Sequence, residues 1–298
     1  MVFKKLFVCL AAFGLSTAWA QDNGLKIYIS ADMEGVTGAV TDEQLGPGGF
    51  EYERFRQFMT NEVNAAIDAA RAAGATEFVV SDSHGNGQNL LIDQLPSDVT
   101  VIRSWPRPLS MMAGIDDTFD GVIFIGYHAG TTNPEGVRAH TMSSTHLADL
   151  RINGRSHNEA AINAAIAGNF GVPVIMLSGD DVTAVETTAL LGNVETAVVK
   201  RAISYHAADT LTPSAGRALI REAAFRAVQR LRDFRPYRVT APVTVEVRFK
   251  NYRPAQMLAY LPMFEMVDAH AVKFTVEDMP TASRVLEFIT TYEIGITP

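Results

Sequence analysis

Two carboxylates, Asp32 and Glu34, close the apolar run Ile27-Tyr28-Ile29-Ser30-Ala31, and Gly35 follows them. Side chains alternate across a strand, so residues two apart leave it on the same face. A pair of carboxylates held that way either repels or shares a cation. The plainer alternative is a solvated strand end whose acids cap the next helix. Gly35 offers the backbone freedom for a sharp turn just beyond them. The pattern recurs twice. Phe78-Val79-Val80 runs into Ser81-Asp82-Ser83-His84-Gly85, and Val122-Ile123-Phe124-Ile125 runs into Gly126-Tyr127-His128. Three apolar strands therefore end in residues able to ligate a metal: Asp32 and Glu34, His84, and His128. Taken alone, each histidine fits a turn or surface role; the shared position after a strand singles them out. Asp82 is an alternative ligand, or the carboxylate that takes the second ring N–H of a ligating imidazole.

Two further residues leave alternatives open. Ser156-His157-Asn158-Glu159 matches the S-x-x-E capping box, in which the glutamate ties back a helix start. Alternatively, a carboxylate in the first helical turn reaches the strand-end cluster. His140 precedes Thr141-Met142-Ser143-Ser144-Thr145-His146 and reads as a third histidine ligand, a proton shuttle or a loop residue. His146, His157, His206 and His270 lack strand-end placement and read as structural or surface groups. Together the candidates are three carboxylates and two or three histidines. A single catalytic zinc commonly takes three protein ligands, so this set suits a pair of ions about 3.5–4 Å apart with a bridging carboxylate. Asp32, first off its strand, is the choice for the bridge. Imidazole and carboxylate without sulfur suit zinc, with manganese or cobalt as alternatives. Competing chemistries lack their motifs. No G-x-S-x-G elbow surrounds Ser81 or Ser83, and no Walker loop, dinucleotide fingerprint or H-E-x-x-H is present.

These groups need an alternation of strands and helices to position them. Phe55, Met59, Val63, Ala66, Ile67 and Ala70 recur at spacings of three and four, which predicts a helix over 52–73 ended by Gly74. Strand–helix–strand order implies a parallel sheet, and ligands of such sheets bind at the strand carboxyl ends. Further strands are expected near 99–103, 150–155, 174–177 and 194–200, with helices over 159–169 and 182–191. From about residue 213 the character changes. A helix over 214–233, a connector over 236–242, an alternating strand over 243–249, a short helix over 255–261, a strand over 271–276 and a helix over 280–292 follow. The expected architecture is α/β: a mainly parallel sheet flanked by helices over 21–205, and a smaller α+β domain over 206–298 suited to oligomer contacts.

The first twenty residues read as a secretory leader. Lys4 and Lys5 precede the apolar stretch 6–15, and Ala18-Trp19-Ala20 is a small-x-small cleavage site. Cleavage after Ala20 predicts a periplasmic or secreted protein in a bacterial cell. Cys9, the only cysteine, lies inside that leader, so the mature chain would hold neither disulfide nor thiol nucleophile. Losing two lysines makes a chain of formal charge −8 more acidic still. That balance argues against nucleic acid and anionic membranes as partners. With 47% hydrophobic and 19% charged residues, the chain can bury a large core.

Ser30-Ala31-Asp32-Met33-Glu34-Gly35 resembles the S-x-D-x-E-G signature of the zinc-dependent D-aminopeptidases of peptidase family M55. The likeness continues through Ser81-Asp82-Ser83-His84, Gly126-Tyr127-His128-Ala129, Gly136-Val137-Arg138-Ala139-His140-Thr141-Met142, and Ile152-Asn153-Gly154-Arg155 leading to Glu159. It covers essentially the whole mature chain. The resemblance implies a co-catalytic pair of zinc ions bridged by Asp32, with Glu34, His84, His128 and Glu159 as the other ligands. It implies that His140 is the catalytic histidine, described in the family as a nucleophile. It also implies a ring-shaped homo-oligomer, a decamer of two stacked pentamers in the type member, with sites facing an enclosed chamber. The loop between His128 and His140 reads as one residue longer than in the type member, and the leader departs from a cytoplasmic type member.

The sequence-based expectation is an exported dizinc aminopeptidase acting on short peptides with a D-residue such as D-alanine at the amino end. Two rivals come from other classes: an exported metal- or peptide-binding protein without catalysis, and a dinuclear phosphoesterase. His140, left free by five other ligands, speaks against the first. The second lacks cations near the motifs, where only Arg138 is available.

Overall fold

The computed structural model describes residues 24–292, so the leader and Cys9 lie outside the described residues. The chain begins with β1 (Leu25–Ala31), α1 (Asp42–Leu45), α2 (Tyr52–Ala72), β2 (Ala75–Asp82), β3 (Val99–Ile102) and β4 (Gly121–Tyr127). It continues with β5 (Leu147–Ile152), β6 (Arg155–Ser156), α3 (Glu159–Asn169), β7 (Val174–Asp180), α4 (Asp181–Leu191), β8 (Glu195–Ser204) and β9 (Ala207–Thr210). It closes with α5 (Pro213–Gln229), β10 (Val243–Phe249), α6 (Tyr252–Leu258), β11 (Glu265–Asp268), β12 (Ala271–Val276) and α7 (Met279–Thr291).

Seven strands form the larger sheet in the order β3-β2-β1-β4-β7-β8-β9. All its neighbours are parallel except β9, which runs antiparallel to β8. From β1 the chain winds outward through β2 and β3, then returns to β4 on the other side of β1 and proceeds through β7 to β8. The β1–β4 boundary is therefore a topological switch point, where a crevice opens at the carboxyl ends of the strands.

Alternation divides the core. Ile27, Ile29, Ile123 and Ile125 face α2 and α5, joining Met59, Val63, Ile67, Ile220 and Ala224. Tyr28, Val122, Phe124 and Leu177 face the other way, into a core shared with α3 and with Val243, Val245 and Val247 of the second sheet. Each fully buried aliphatic side chain contributes about 1.5–3 kcal/mol. Both faces of the central strands are thus locked, and so are the directions in which their ends point.

The second sheet has the order β11-β12-β10-β5-β6 and is antiparallel throughout. It does not coincide with the expected 206–298 unit. β5 and β6 come from the middle of the chain and pair with β10, Val247 lying opposite Leu150. Conversely, β9 pairs with β8 of the large sheet, and α5 packs on α2. The period-2 pattern of β5 is readable in the sequence, but a pattern does not name its partner strand. Three short elements escaped sequence reading: α1 has four residues, and β9 and β11 are four-residue strands at sheet edges.

Candidate metal centre

The carboxyl ends of β1, β2 and β4 lie side by side. Their ladder continues past the strands: Asp32 N donates to Ile125 O at 2.8 Å, and Ser83 N to Ala31 O at 2.8 Å. Two glycines permit this approach. A Cβ on Gly35 would lie 2.0 Å from Tyr127 O, and one on Gly126 would lie 2.3 Å from Asp32 O. Gly35 N instead donates to Gly126 O at 2.7 Å. Close backbone approach is thus the first need at Gly35, whereas Gly126 also takes a φ of 72°.

All six candidate residues meet in one cavity of ≈350 Å³. Asp32 lies between two histidines: Oδ1 is 3.2 Å from His84 Nδ1, and Oδ2 is 3.3 Å from His128 Nε2. Glu34 Oε2 lies 2.9 Å from His84 Nδ1. Glu159 Oε1 is 3.4 Å from His128 Nε2 and 3.8 Å from His140 Nε2. The His128 and His140 rings stack, with centroids 4.0 Å apart and planes 7° apart.

Each imidazole is oriented by a backbone carbonyl. His84 Nε2 donates to Leu45 O at 2.6 Å, His128 Nδ1 to Ala129 O at 3.0 Å, and His140 Nδ1 to Arg138 O at 2.8 Å. A carbonyl only accepts, so these nitrogens carry the hydrogens, and in the neutral rings the opposite lone pairs face the carboxylates. Lone pair against carboxylate is repulsive unless a proton or a cation stands between. The site thus fits metal ions by its own chemistry. Asp32 Oδ2 and His128 Nε2 are buried without a hydrogen-bond partner, and Asp32, Glu34 and His128 offer ligand atoms all within 4.8 Å of one another. His128, His140 and Glu159 do the same.

Protons compete for the same space. Burial would lower His84 and His128, but the carboxylates beside them overcome it and hold both imidazoles well above their usual range. Burial likewise opposes ionisation of Glu34 and Glu159, yet the neighbouring imidazoles pull both below the usual carboxylate range. Asp32 goes the other way. Burial raises it first, and the charge of Glu34 adds to the effect.

Several expectations are resolved by position. Glu159 forms no capping box: Asn158 caps α3, its side chain accepting from Ala161 N at 2.9 Å. That frees the Glu159 carboxylate, whose Oε1 accepts from Met142 N at 2.6 Å and faces the cluster. Asp82 is not the partner of His84. It accepts from Asn89 N and Leu90 N at 2.6 and 2.7 Å and so shapes the loop beyond His84. His157 is structural, bonded to Arg155 O and Tyr237 Oη. Arg138 is buried and held by Asp42 and His206.

Sequence reading missed Lys200. It lies on β8, 2% exposed, and donates to the carbonyls of Glu34, Val36 at 3.2 Å and Ala39 at 2.5 Å. All three ammonium hydrogens thus hold the loop that carries Glu34. Burial draws the ammonium down to about 8, so it remains charged at neutral pH. Glu62 of α2 grips the same loop by accepting from Thr37 N at 3.0 Å. The available signal was a lysine closing the apolar strand 194–200.

A family model described as Peptidase M55, D-aminopeptidase, matches residues 25–288. The chain belongs to the M55 D-aminopeptidase family. It is a metal-dependent hydrolase of the aminopeptidase type. It is 37% identical over 268 residues to a D-aminopeptidase of Bacillus subtilis (strain 168), covering 89% of this chain and 97% of that relative. Its fold is similar to the solved Zn-dependent D-aminopeptidase DppA from Bacillus subtilis, a self-compartmentalizing protease. The TM-score is 0.86 at 36% identity, over 89% of this chain and 97% of that one. The mainly parallel sheet flanked by helices, with its antiparallel companion, is thus the architecture of this family.

Proposed function

We propose that the protein is an exported dizinc aminopeptidase that removes an amino-terminal D-residue, such as D-alanine, from short peptides. The observation that carries the reading is the buried conflict at the strand ends, where three imidazole faces meet three carboxylates in one cavity of an M55 chain. Asp32, Glu34, His84, His128 and Glu159 would hold the ions, and Asp32, which lies between His84 and His128, would be the carboxylate shared by both. Bound there, the ions would neutralise the carboxylates, polarise a substrate carbonyl and acidify water.

The chain's own residues supply the rest. His140 Nδ1–H is fixed on Arg138 O, so Nε2 is the nitrogen able to take and return a proton inside the cavity. Nε2 lies 3.8–4.0 Å from Glu159 and Glu34, beyond hydrogen-bond reach, and is therefore uncommitted. We assign it proton transfer in preference to nucleophilic attack, which activated water makes redundant. Trp105, Met111 and Met142 give the same cavity its apolar surface. Among the described residues lining it there is no lysine or arginine, which weighs against a phosphoesterase.

The leader-like residues 1–20 precede the family match, which begins at residue 25, and they support export. A self-compartmentalizing relative supports a ring-shaped homo-oligomer with enclosed sites, a pentamer or decamer. The test is incubation of the purified mature chain with D-Ala-p-nitroanilide, L-Ala-p-nitroanilide and p-nitrophenyl phosphate, with and without chelator, beside metal analysis and light scattering. Chelator-sensitive cleavage of the D-anilide with two zinc ions per chain is expected. Bound metal without amide cleavage would favour the binding-protein reading. His140→Ala should keep both ions and lose about 10²–10⁴-fold in kcat, the usual range for a proton-transfer group; full activity would remove it from the mechanism.

A further inference from the structure

The cavity over the cluster has a neighbour of opposite character. A second cavity, of ≈360 Å³, shares His140 and Ser144 with the first. Asp32, Glu34, Glu159 and Glu287 line the first, with no lysine or arginine among the described residues there. Lys250 and Tyr205 line the second, with no carboxylate among the described residues there. His140, the proposed proton carrier, is thus common to an acidic and a basic compartment.

Lys250 is exposed but tethered at both its backbone and its ammonium. It directly follows β10, and its backbone N donates to His146 O at 2.8 Å. Its Nζ donates to Ser144 O at 2.5 Å. Both bonds fall on the 143–146 segment that follows His140, so the ammonium is tied to the loop leading away from His140 and lines the cavity that His140 also lines. One of its three hydrogens is used. An ammonium fixed in a cavity without a carboxylate partner is a ready receptor for an anion, and a charge-assisted bond to a carboxylate is the strong form of that contact.

We propose that Lys250 receives the free carboxylate on the leaving side of the peptide, so that the site prefers short peptides ending in a free carboxylate over C-terminally blocked ones. This rests on the aminopeptidase reading. The acidic cavity takes the amino-terminal residue, His140 stands at the scissile bond, and the leaving portion extends toward Lys250. Opposite charges at the two ends then fix the direction in which a peptide lies.

The experiment compares kcat and KM for D-alanyl-D-alanine and its C-terminal amide, using the zinc-loaded wild type, Lys250→Met and Lys250→Arg. The wild type is expected to favour the acid by about tenfold or more in kcat/KM, the worth of one charge-assisted bond, with most of it in KM. Lys250→Met should bring the acid-to-amide ratio near one, and Lys250→Arg should retain much of it. Equal use of acid and amide by the wild type overturns the proposal, as does a Lys250→Met variant that keeps the preference. Cleavage of neither substrate overturns the aminopeptidase reading as well. That outcome is distinct from the failure of the carboxylate subsite alone, in which both are cleaved alike.

Discussion

The candidate metal centre and the antiparallel sheet both use aspartate and glutamate, to opposite ends. On the sheet, Lys273 lies 2.9 Å from Glu265 with side chains 39% and 71% exposed, and Arg248 lies 2.6 Å from Asp268. Water already satisfies such groups, so their pairing adds little. At the strand ends, Asp32, Glu34, His84, His128 and Glu159 are buried, and two of their atoms have no partner. Burial turns the same chemistry from decoration into an unresolved demand for a cation. The apolar layers on both faces of the large sheet make that demand tolerable, because they fix the backbone whether or not the ends agree.

The largest effect should come from Asp32, the proposed bridge. Asp32→Asn keeps the shape but removes the charge between His84 and His128. A loss of about 10³-fold in kcat/KM is expected, from several kcal/mol of lost metal-dependent stabilisation. Zinc per chain, measured alongside, should fall; unchanged zinc content would deny Asp32 the proposed bridging role.

Lys200→Met is next. It strips a donor from three buried carbonyls; Val36 O keeps Ala39 N, while those of Glu34 and Ala39 are left unsatisfied at about 1–3 kcal/mol each, so about 3 kcal/mol of stability should be lost in denaturant unfolding. Zinc affinity should weaken too, because the carbonyl of Glu34 is one of the three. A stable variant with unchanged affinity would show that the loop holds itself.

Proton linkage separates the two regions by pH. In metal-free protein, His84 and His128, raised above the usual 6.5, add stability below that value and lose it as pH rises through their folded values. Glu34 and Glu159, lowered, add stability that is lost as pH falls through theirs. Zinc held by these imidazoles would displace their protons, so its binding should tighten with rising pH. Thermal melts should therefore show the metal-free Tm declining above about pH 7 while the gain from zinc grows. A constant zinc gain across that range would exclude these imidazoles as ligands. The smallest effect belongs to the sheet: Lys273→Ala should cost under about 1 kcal/mol and leave activity unchanged.

Much of the site was legible because it obeys local rules. The recurrence of polar residues after apolar runs pointed to Asp32, His84 and His128, but strand alternation is not what brings Glu34 beside Asp32: β1 ends at Ala31, and Glu34 lies in the turn that Gly35 closes against Gly126. The M55 resemblance, now matched by the family assignment, added order and spacing to those signals. Glu159 was left between a capping box and the cluster because both readings need the same residue at the same helical turn. Only Asn158, taking the cap itself, decided between them.

The sequence by itself determined which residues could do chemistry and which strand ends would present them, because side-chain direction within an element follows from its period. The tertiary structure alone decided which ends meet, that Leu45 rather than Asp82 orients His84, that Lys200 clamps the Glu34 loop, and that β5 joins β10 across the chain. Those contacts depend on packing between segments as much as 166 residues apart, and no local period encodes a partner that distant.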